Sequence, residues 1–153
     1  MKDVQLLQVK GVMTVHPTRI RADTNLRQAA EVVAMSGASD LMVVDDDNIF
    51  IGVLSEGDII RAALPNVGEI VDEGGTLGTA FSIFLNKGKD LANLPISPLI
   101  IQAPIVVDPD DHVAKAASVL IDMHIRLLPV VSDGRLVGTV SRADICRAVV
   151  GMV

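Results

Sequence analysis

Aromatic side chains are almost absent from this 153-residue sequence: three phenylalanines are present, with no tryptophan and no tyrosine. Hydrophobic residues nevertheless make up 50% of the chain. The core must therefore be built from aliphatic side chains, a composition typical of buried strands flanked by helices. The length suits one compact domain, or two small units that share a core.

The chain also lacks the features of secreted, membrane and nucleic-acid-binding proteins. The single cysteine, Cys146, excludes an internal disulfide and suits a reducing compartment. No stretch approaches the ~18 uninterrupted apolar residues of a membrane span, and the first residues do not resemble a secretion signal. The net charge of −6 comes without a basic run, whereas phosphate contacts need clustered lysine and arginine. We expect a cytoplasmic protein that contacts neither membrane nor nucleic acid.

Motifs for catalysis and metal binding are missing as well. The spacing of His16, His112 and His124 makes no compact metal motif. Neither Ser55 nor Ser141 lies in a G-x-S-x-G elbow, and no G-x-x-x-x-G-K-[ST] phosphate loop occurs. We therefore expect no metal, no catalytic residue and no obligatory cofactor, and an enzyme is the weakest of the functions considered.

The sequence does contain an internal repeat. The segment GVLSEGDIIRAAL (52–64) returns as GTVSRADICRAVV (138–150), with identical residues at the Gly, Ser, Asp, Ile, Arg and Ala positions. Upstream, an offset of 87 aligns Pro17 with Pro104 and continues without a gap to the following valine pairs. One deletion in the next turn changes the offset to 86. A fixed offset of this kind indicates a duplicated supersecondary unit.

Each copy predicts the same order of elements. A short extended segment, 18–22 or 104–108, precedes a helix, and two strands and a second helix follow. Candidate caps of the first helices are Asp23 or Thr24 and Asp110 or Asp111, and Gly37 is a candidate stop. The predicted unit is β-α-β-β-α, an α/β (α+β) arrangement, at 9–64 and again at 98–151.

The repeated serine and aspartate have a simple structural explanation. Ser55 and Ser141 stand where a strand meets a helix, and Asp58 and Asp144 follow three residues later. A serine hydroxyl can accept from free amides of the first turn, and a carboxylate there suits the helix dipole. Capping leaves unexplained the glycine before each serine and the duplication itself.

The motif G-h-x-S-x-x-D-I, present twice and preceded by LPVV on a strand, resembles the cystathionine-β-synthase (CBS) domain pair. The residues that carry the resemblance are Gly52, Ser55, Asp58, Ile59, Leu128, Pro129, Val130, Val131, Gly138, Ser141, Asp144 and Ile145. The segment VMTVHPTRI (12–20) is similar to the one that opens such a unit. The resemblance implies two repeats packed about a pseudo-twofold axis, together one domain over 1–153.

That resemblance also implies a function. CBS pairs commonly bind AMP, ADP, ATP or S-adenosylmethionine in clefts between the repeats, form homodimers, and act as sensors for a protein effector. We therefore expect a stand-alone regulatory module whose effector is unknown. The alternative is a structural dimerisation or interaction module without nucleotide, whose clefts are filled by its own side chains, with Arg126, Asp40 and Glu56 paired internally.

In this family each cleft mixes the two repeats. The resemblance implies one cleft formed by Met13, His16, Thr18, Ala38, Ser39, Ser141, Arg142 and Asp144. It implies a second formed by Ser55, Asp58, Ile105, Ile125 and Arg126. A carboxylate can accept from both hydroxyls of a ribose, while a serine hydroxyl and helix-start amides meet a phosphate.

The two clefts are expected to differ. The Asp144 cleft has Thr18 and Ser39 as polar contacts and Arg142 beside the motif, whereas the Asp58 cleft has Arg126 as a candidate phosphate contact. Glu56 stands where Arg142 stands in the other copy, and a second carboxylate weakens the binding of a polyphosphate. Asp40 raises the same concern for the Asp144 cleft. On balance we expect the Asp144 cleft to be the occupied one.

The segment between the copies, 65–97, contains glycine and proline around one predicted helix, Leu77 to Leu85. Leu77, Phe81, Phe84 and Leu85 suit one helical face. This face either covers the core of the two repeats or contacts a second subunit, and the sequence leaves both open.

Overall fold

The computed structural model describes residues 7–102 and 104–151, and its mixed helix and strand content confirms the predicted fold class. Repeat 1 contains β1 (Arg19–Arg21), α1 (Leu26–Ser36), β2 (Asp40–Val44), β3 (Phe50–Ser55) and α2 (Glu56–Ala63). The linker contains α3 (Val67–Asp72) and α4 (Leu77–Leu91). Then follow β4 (Ile101–Gln102), α5 (Val113–Asp122), β5 (Leu127–Ser132), β6 (Arg135–Ser141) and α6 (Arg142–Val149).

The strands form two small sheets. One has the order β1-β2-β3-β4, with β1 parallel to β2 and the other neighbours antiparallel. The other is the antiparallel pair β5-β6. The extended segment predicted at 104–108 pairs only through Val107, which bridges Val130 in parallel, as Ile20 pairs with Val43 in repeat 1. Both repeats therefore follow the predicted order, with a shorter first strand in repeat 2.

The first helix of each repeat begins later than predicted. Asn25 caps α1, where its side chain accepts an amide hydrogen at 2.8 Å, and His112 caps α5 through Nδ1 at 2.9 Å. The candidate caps lie one or two residues too early to reach the free amides of these helices: Asp23, Thr24, Asp110 and Asp111. Gly37 ends α1 as predicted, in the left-handed conformation with φ 70°.

Each repeat takes part of its core from the segment at the start of the other half of the chain. Val9 is fully buried in the cluster of repeat 2, where it packs with Leu120 and Leu128. Ile96, which the offset of 87 matches to Val9, is fully buried in the cluster of repeat 1. We call 9–14 and 96–101 the leading segments. Each half therefore contributes to the apolar core of the other.

The backbone of the leading segments follows the same exchange. Thr14 forms an antiparallel bridge with Thr139 of β6, and Ile101 of β4 pairs with Val53 of β3. The offset of 87 relates Thr14 to Ile101, and the offset of 86 relates Val53 to Thr139. The two halves are therefore equivalent by a pseudo-twofold exchange.

This exchange explains the glycine of the repeated motif. A Cβ at Gly52 would lie 2.4 Å from the carbonyl oxygen of Ile101, and a Cβ at Gly138 would lie 2.7 Å from that of Thr14. Both distances are shorter than any ordinary van der Waals contact. Glycine is needed because the leading segment of the other repeat crosses the strand at this position.

A third apolar cluster joins the two repeats. Its buried members are Met42, Val44, Val53 and Leu136, with Phe50 and Leu127 packed against them. The turn of repeat 1 also bonds to β6: the Asn48 side chain donates to the Leu136 carbonyl at 2.8 Å, and the Leu136 amide donates back to the Asn48 carbonyl at 3.1 Å. The halves therefore meet along their strands.

The linker forms two helices where the sequence analysis predicted one. The missed helix α3 has a capping box between Asn66 and Glu69, a signal that the sequence N-V-G-E contains. Helix α4 begins at Leu77 as predicted but continues to Leu91, which packs on the repeat 1 core. Of the predicted apolar face, Phe84 is half-buried, while Leu77, Phe81 and Leu85 remain exposed. Three of the four predicted face residues therefore do not cover the core. Over 7–102 and 104–151, no helix combines the length and apolar character that crossing a bilayer requires.

Candidate functional site

The Ser–Asp motif of repeat 2 forms a closed network at the start of α6. Ser141 caps the helix by accepting from the Asp144 amide at 3.1 Å. The Asp144 carboxylate accepts from the Ser141 amide at 2.9 Å and from its hydroxyl at 3.0 Å. It also accepts from the Thr14 hydroxyl, at 3.3 and 3.4 Å from its two oxygens, and from the Arg147 guanidinium. Only 3% of the Asp144 side chain is exposed.

The motif of repeat 1 forms a smaller network at the start of α2. The Ser55 hydroxyl accepts from the Asp58 amide at 3.1 Å and donates to the Asp58 carboxylate at 2.9 Å. Arg61 pairs with the same carboxylate, and its hydrogen bond is the main reason that the pKa of Asp58 is lowered. The Asp58 side chain is 24% exposed. This carboxylate is therefore charged and open to solvent on one side.

Three residues of these networks were not predicted as site residues. Arg61 and Arg147 each pair with the aspartate three residues before them, and both belong to the identical positions of the repeat. The repetition of D-I-x-R was the signal that could have identified them. Thr14 could have been found only from the exchange of the leading segments, which sets it beside Asp144.

Arg142 has a structural contact that the sequence did not predict. Its guanidinium donates to the carbonyl oxygens of Leu120 at 3.0 Å and Ile125 at 3.1 Å. Leu120 lies in the last turn of α5 and its carbonyl also accepts from the Ile125 amide at 3.1 Å, while Ile125 lies in the turn that follows the helix. A contact between Arg142 and a ligand stays a prediction, and two of its five donor hydrogens are already used in these bonds.

Asp40 lies beside the Asp58 motif, whereas the sequence predicts it at the Asp144 cleft. It is paired with Ser55 across β2 and β3, and its charged neighbours include Glu56, Asp58 and Arg126. Burial raises the pKa of Asp40 above its usual value, while the Arg126 guanidinium opposes the rise. The expectation that Asp40 stands at the Asp144 cleft is therefore corrected, because the strand register sets it beside the motif of its own repeat.

The surroundings of Asp40 also bear on the structural alternative, in which Arg126, Asp40 and Glu56 pair internally. Arg126 is close enough to Asp40 to act on its pKa, yet within the described part of the chain it forms no ion pair with Asp40 or Glu56. The internal pairing that a filled cleft would need is thus not formed at this position.

The other predicted ligand residues are only partly brought together. The Ser39 carbonyl accepts from the Glu56 amide at 2.9 Å, which ties Ser39 to the start of α2 rather than to Asp144. Met13 and Ile125 pack against the repeat 2 core, and Ala38 packs against that of repeat 1. The Thr18 carbonyl accepts from the Met42 amide at 3.2 Å. His16 and Ile105 are exposed.

Two concavities of the surface are lined by neither the serine nor the aspartate of either motif. One of about 690 Å³ lies against β1 and α1, and an apolar groove of about 440 Å³ lies between α1, α2 and α4. Neither is lined by a residue predicted to bind ligand. Among the residues whose positions are described, no cluster of three or more His, Cys, Asp or Glu side chains could hold a metal.

Comparison with known families and proteins agrees with this architecture. The family model for the CBS domain matches residues 9–65 and 96–151. Uncharacterized protein MJ1426 of Methanocaldococcus jannaschii is 25% identical, over 95% of this chain and 93% of that protein. The chain spans 41% of MJ1225 from the same organism and 57% of the chloroplastic protein CBSX1 of Arabidopsis thaliana.

Solved structures show the same fold. CBSX2 of Arabidopsis thaliana in complex with AMP is 25% identical, with a TM-score of 0.69, over 95% of this chain and 97% of that one. The CBS domain pair of MJ0100, in complex with 5′-methylthioadenosine and S-adenosyl-L-methionine, is 20% identical with a TM-score of 0.65, over 95% of this chain and 98% of that one.

Proposed function

Since this chain belongs to the CBS domain family, we propose that it is a regulatory module that binds an adenosine-containing ligand between its two repeats. The observation that carries the proposal is the aspartate at the start of α2 and of α6. Each follows by five residues the point where the leading segment of the other repeat pairs with the preceding strand, so both halves contribute to its surroundings.

The chemistry of these sites suits a nucleoside. An aspartate that remains charged can accept from both ribose hydroxyls, and the exposed side of Asp58 is available for this. The amides at the helix start and the Ser55 hydroxyl favour a phosphate. Aliphatic strands can flank an adenine. AMP, ADP, ATP and S-adenosylmethionine are the ligands we consider, and the complexes of CBSX2 and MJ0100 support this class.

The proposal includes how binding is used. A ligand that contacts both repeats changes their relative placement to the extent that it prefers one arrangement. We propose that the protein works as a homodimer in the cytoplasm, acting on a protein effector rather than on nucleic acid or membrane. Exposed apolar side chains on α4, including Leu77 and Phe81, support a protein contact, and the single cysteine suits a reducing compartment.

One observation favours the structural alternative for part of the molecule. The oxygens of Asp144 already accept from three residues of the protein itself, Thr14, Ser141 and Arg147. A site satisfied in this way can hold two halves together without a ligand.

A ligand panel separates the two functions. AMP, ADP, ATP and S-adenosylmethionine are each added at rising concentration during thermal unfolding, with GMP as the control for base recognition. A ligand at about 100 times its Kd should stabilise the fold by roughly 2.7 kcal/mol. The Asp58→Asn/Asp144→Asn variant should lose this response. If no adenosine compound shifts the transition of the wild-type protein, the structural function stands instead, and sedimentation of the same samples reports whether two copies pair.

A further inference from the structure

The two motif aspartates differ in how many protein donors they already hold. Each accepts from the serine hydroxyl before it and from the arginine three residues after it. Asp144 accepts in addition from the Ser141 amide and from the Thr14 hydroxyl. Since the serine and arginine contacts are common to both sites, the difference between the sites rests on these two extra donors.

The extra side-chain donor comes from the leading segment. Thr14 is held by its backbone, with its amide 2.8 Å from the Thr139 carbonyl and its carbonyl 3.0 Å from the Thr139 amide. The offset of 87 sets Ile101 at the equivalent position beside the other motif, where it pairs with Val53. Isoleucine has no hydroxyl, so the Asp58 site cannot receive the contact that Thr14 gives to Asp144.

Thr14 is an exposed residue that contacts the buried acid. The threonine is exposed, whereas only 3% of the Asp144 side chain is. Its hydroxyl reaches both carboxylate oxygens, at 3.3 and 3.4 Å, which is the kind of contact that a ribose hydroxyl would make. A ligand that uses Asp144 must first displace this hydroxyl.

We propose that Thr14 is an internal competitor for the ligand at Asp144, so that the Asp58 site binds the nucleoside first and more tightly. This inference rests on the proposed function, and it reverses the expectation from sequence that the Asp144 cleft is the occupied one. It assigns the side-chain part of the difference between the sites to one residue pair of the leading segments, Thr14 and Ile101.

The size of the effect follows from one hydrogen bond. The contact is shared between two oxygens and both distances are long, so its net contribution lies within the ordinary range for a single bond. Removing it should tighten binding at the Asp144 site by roughly three- to tenfold.

The test isolates each site by calorimetric titration with AMP and, separately, with S-adenosylmethionine. Asp58→Asn removes the stronger site and leaves weak binding at Asp144. Adding Thr14→Ala to that variant should tighten the residual binding roughly three- to tenfold. Thr14→Ser, which keeps the hydroxyl, is the matched control and should leave the residual affinity as it was. Unfolding transitions that match those of Asp58→Asn confirm that the exposed position tolerates the changes.

The reverse exchange gives an independent test. Ile101→Thr introduces a hydroxyl beside Asp58 and should weaken the wild-type binding roughly three- to tenfold. Ile101→Val keeps the branched side chain without a donor and should bind like the wild type. Binding that survives Asp58→Asn at full strength, or residual binding that Thr14→Ala leaves unchanged, overturns this inference while the proposed function stands. Absence of binding by the wild-type protein to either ligand overturns both.

Discussion

Repeat 1 and repeat 2 contain the same motif, but its surroundings differ between them. In both, a glycine lets the leading segment of the other repeat cross, and a serine and an aspartate begin a helix. The neighbouring positions have diverged: Glu56 corresponds to Arg142, and Ile101 corresponds to Thr14. The backbone geometry of the motif is thus the same in both repeats, whereas its carboxylate is 24% exposed in repeat 1 and 3% exposed in repeat 2.

The linker adds a second difference between the repeats. Helix α4 packs beside α1 and α2, where it lines an apolar groove with Ala63, and Ala63 is 7% exposed. The offset of 86 matches Ala63 to Val149 on α6, which is 77% exposed. The helical face of repeat 1 is therefore partly covered by the chain itself, while that of repeat 2 offers apolar area to solvent.

The largest expected effect is the loss of stability when the motif glycines are replaced, and it tests whether the two leading segments cross their strands equivalently. Gly52→Ala and Gly138→Ala both force a Cβ against a backbone carbonyl, which cannot move as a flexible side chain can. We expect each to lower the free energy of unfolding by about 2–3 kcal/mol. Gly52→Ala should cost more, because its Cβ would lie 2.4 Å from the oxygen rather than 2.7 Å. Urea unfolding monitored by circular dichroism measures both.

Gly88 supplies the control for these variants. It lies within α4, and a Cβ there would meet no atom within 4 Å. Gly88→Ala should therefore stabilise the protein by roughly 0.5–1 kcal/mol, the usual gain for alanine in a helix. Equal stability of the Gly52→Ala variant and the wild type would show that the leading segment does not cross the strand as described.

The fold was largely predictable from the sequence because its signals are local and occur twice. The extended segments, the candidate helix ends and the offset of 87 predicted the order of elements, and the resemblance of the motif implied the pairing of repeats. The short helix α3 was missed although Asn66 and Glu69 spell a capping box. The role of the motif glycine could not be predicted, because its partner Ile101 is close only in the folded chain.

The site was predicted less well, for a related physical reason. The sequence identified both aspartates, but not which donors each would hold. Thr14 and Asp144 are far apart in the chain, and only the exchanged leading segment brings them together. Arg142 is predicted as a ligand residue because it stands beside the motif, whereas in the fold it donates to the Leu120 carbonyl in the last turn of α5. Long-range register decides such contacts, and residue type alone does not.

A middle-sized effect separates the structural contact of Arg142 from its predicted contact with ligand. Arg142→Ala leaves the carbonyls of Leu120 and Ile125 without this donor and should lower the free energy of unfolding by about 1 kcal/mol. Ligand affinity, measured by titration with AMP, should stay within about twofold of the wild type, since a surface charge without direct contact contributes little.

The equivalent residue of repeat 1 is the control. Glu56→Ala should change stability by less than about 0.5 kcal/mol, as is usual for a surface substitution. A strong loss of AMP affinity in Arg142→Ala with unchanged stability would return Arg142 to the ligand site and restore the expectation drawn from the sequence.

The smallest expected effect is the pH dependence of stability that Asp40 causes beside the Asp58 motif. Burial raises the pKa of Asp40, so the folded state holds its proton more tightly than the unfolded chain does. Ionised Asp40 therefore destabilises the fold at neutral pH, and this penalty disappears as pH falls below its unfolded pKa of 3.8. Asp40→Asn should be more stable than the wild type at pH 7, and the difference should shrink toward pH 3.5, as thermal unfolding across this range would show.

Asp111 of repeat 2 provides a control with the opposite sign. The Asp108 amide donates to its carboxylate at 2.8 Å, and this bond is the main reason that its pKa is lowered. Its charged form therefore stabilises the fold above pH 3.8, and that contribution is lost as pH falls through the lowered folded value. Asp111→Asn should be less stable than the wild type at pH 7, with the difference shrinking in acid. If Asp40→Asn and Asp111→Asn both lowered the stability at pH 7, Asp40 would not lie in a buried site rich in carboxylates. Only desolvation and like charge raise the pKa of a carboxyl and so make its removal stabilising.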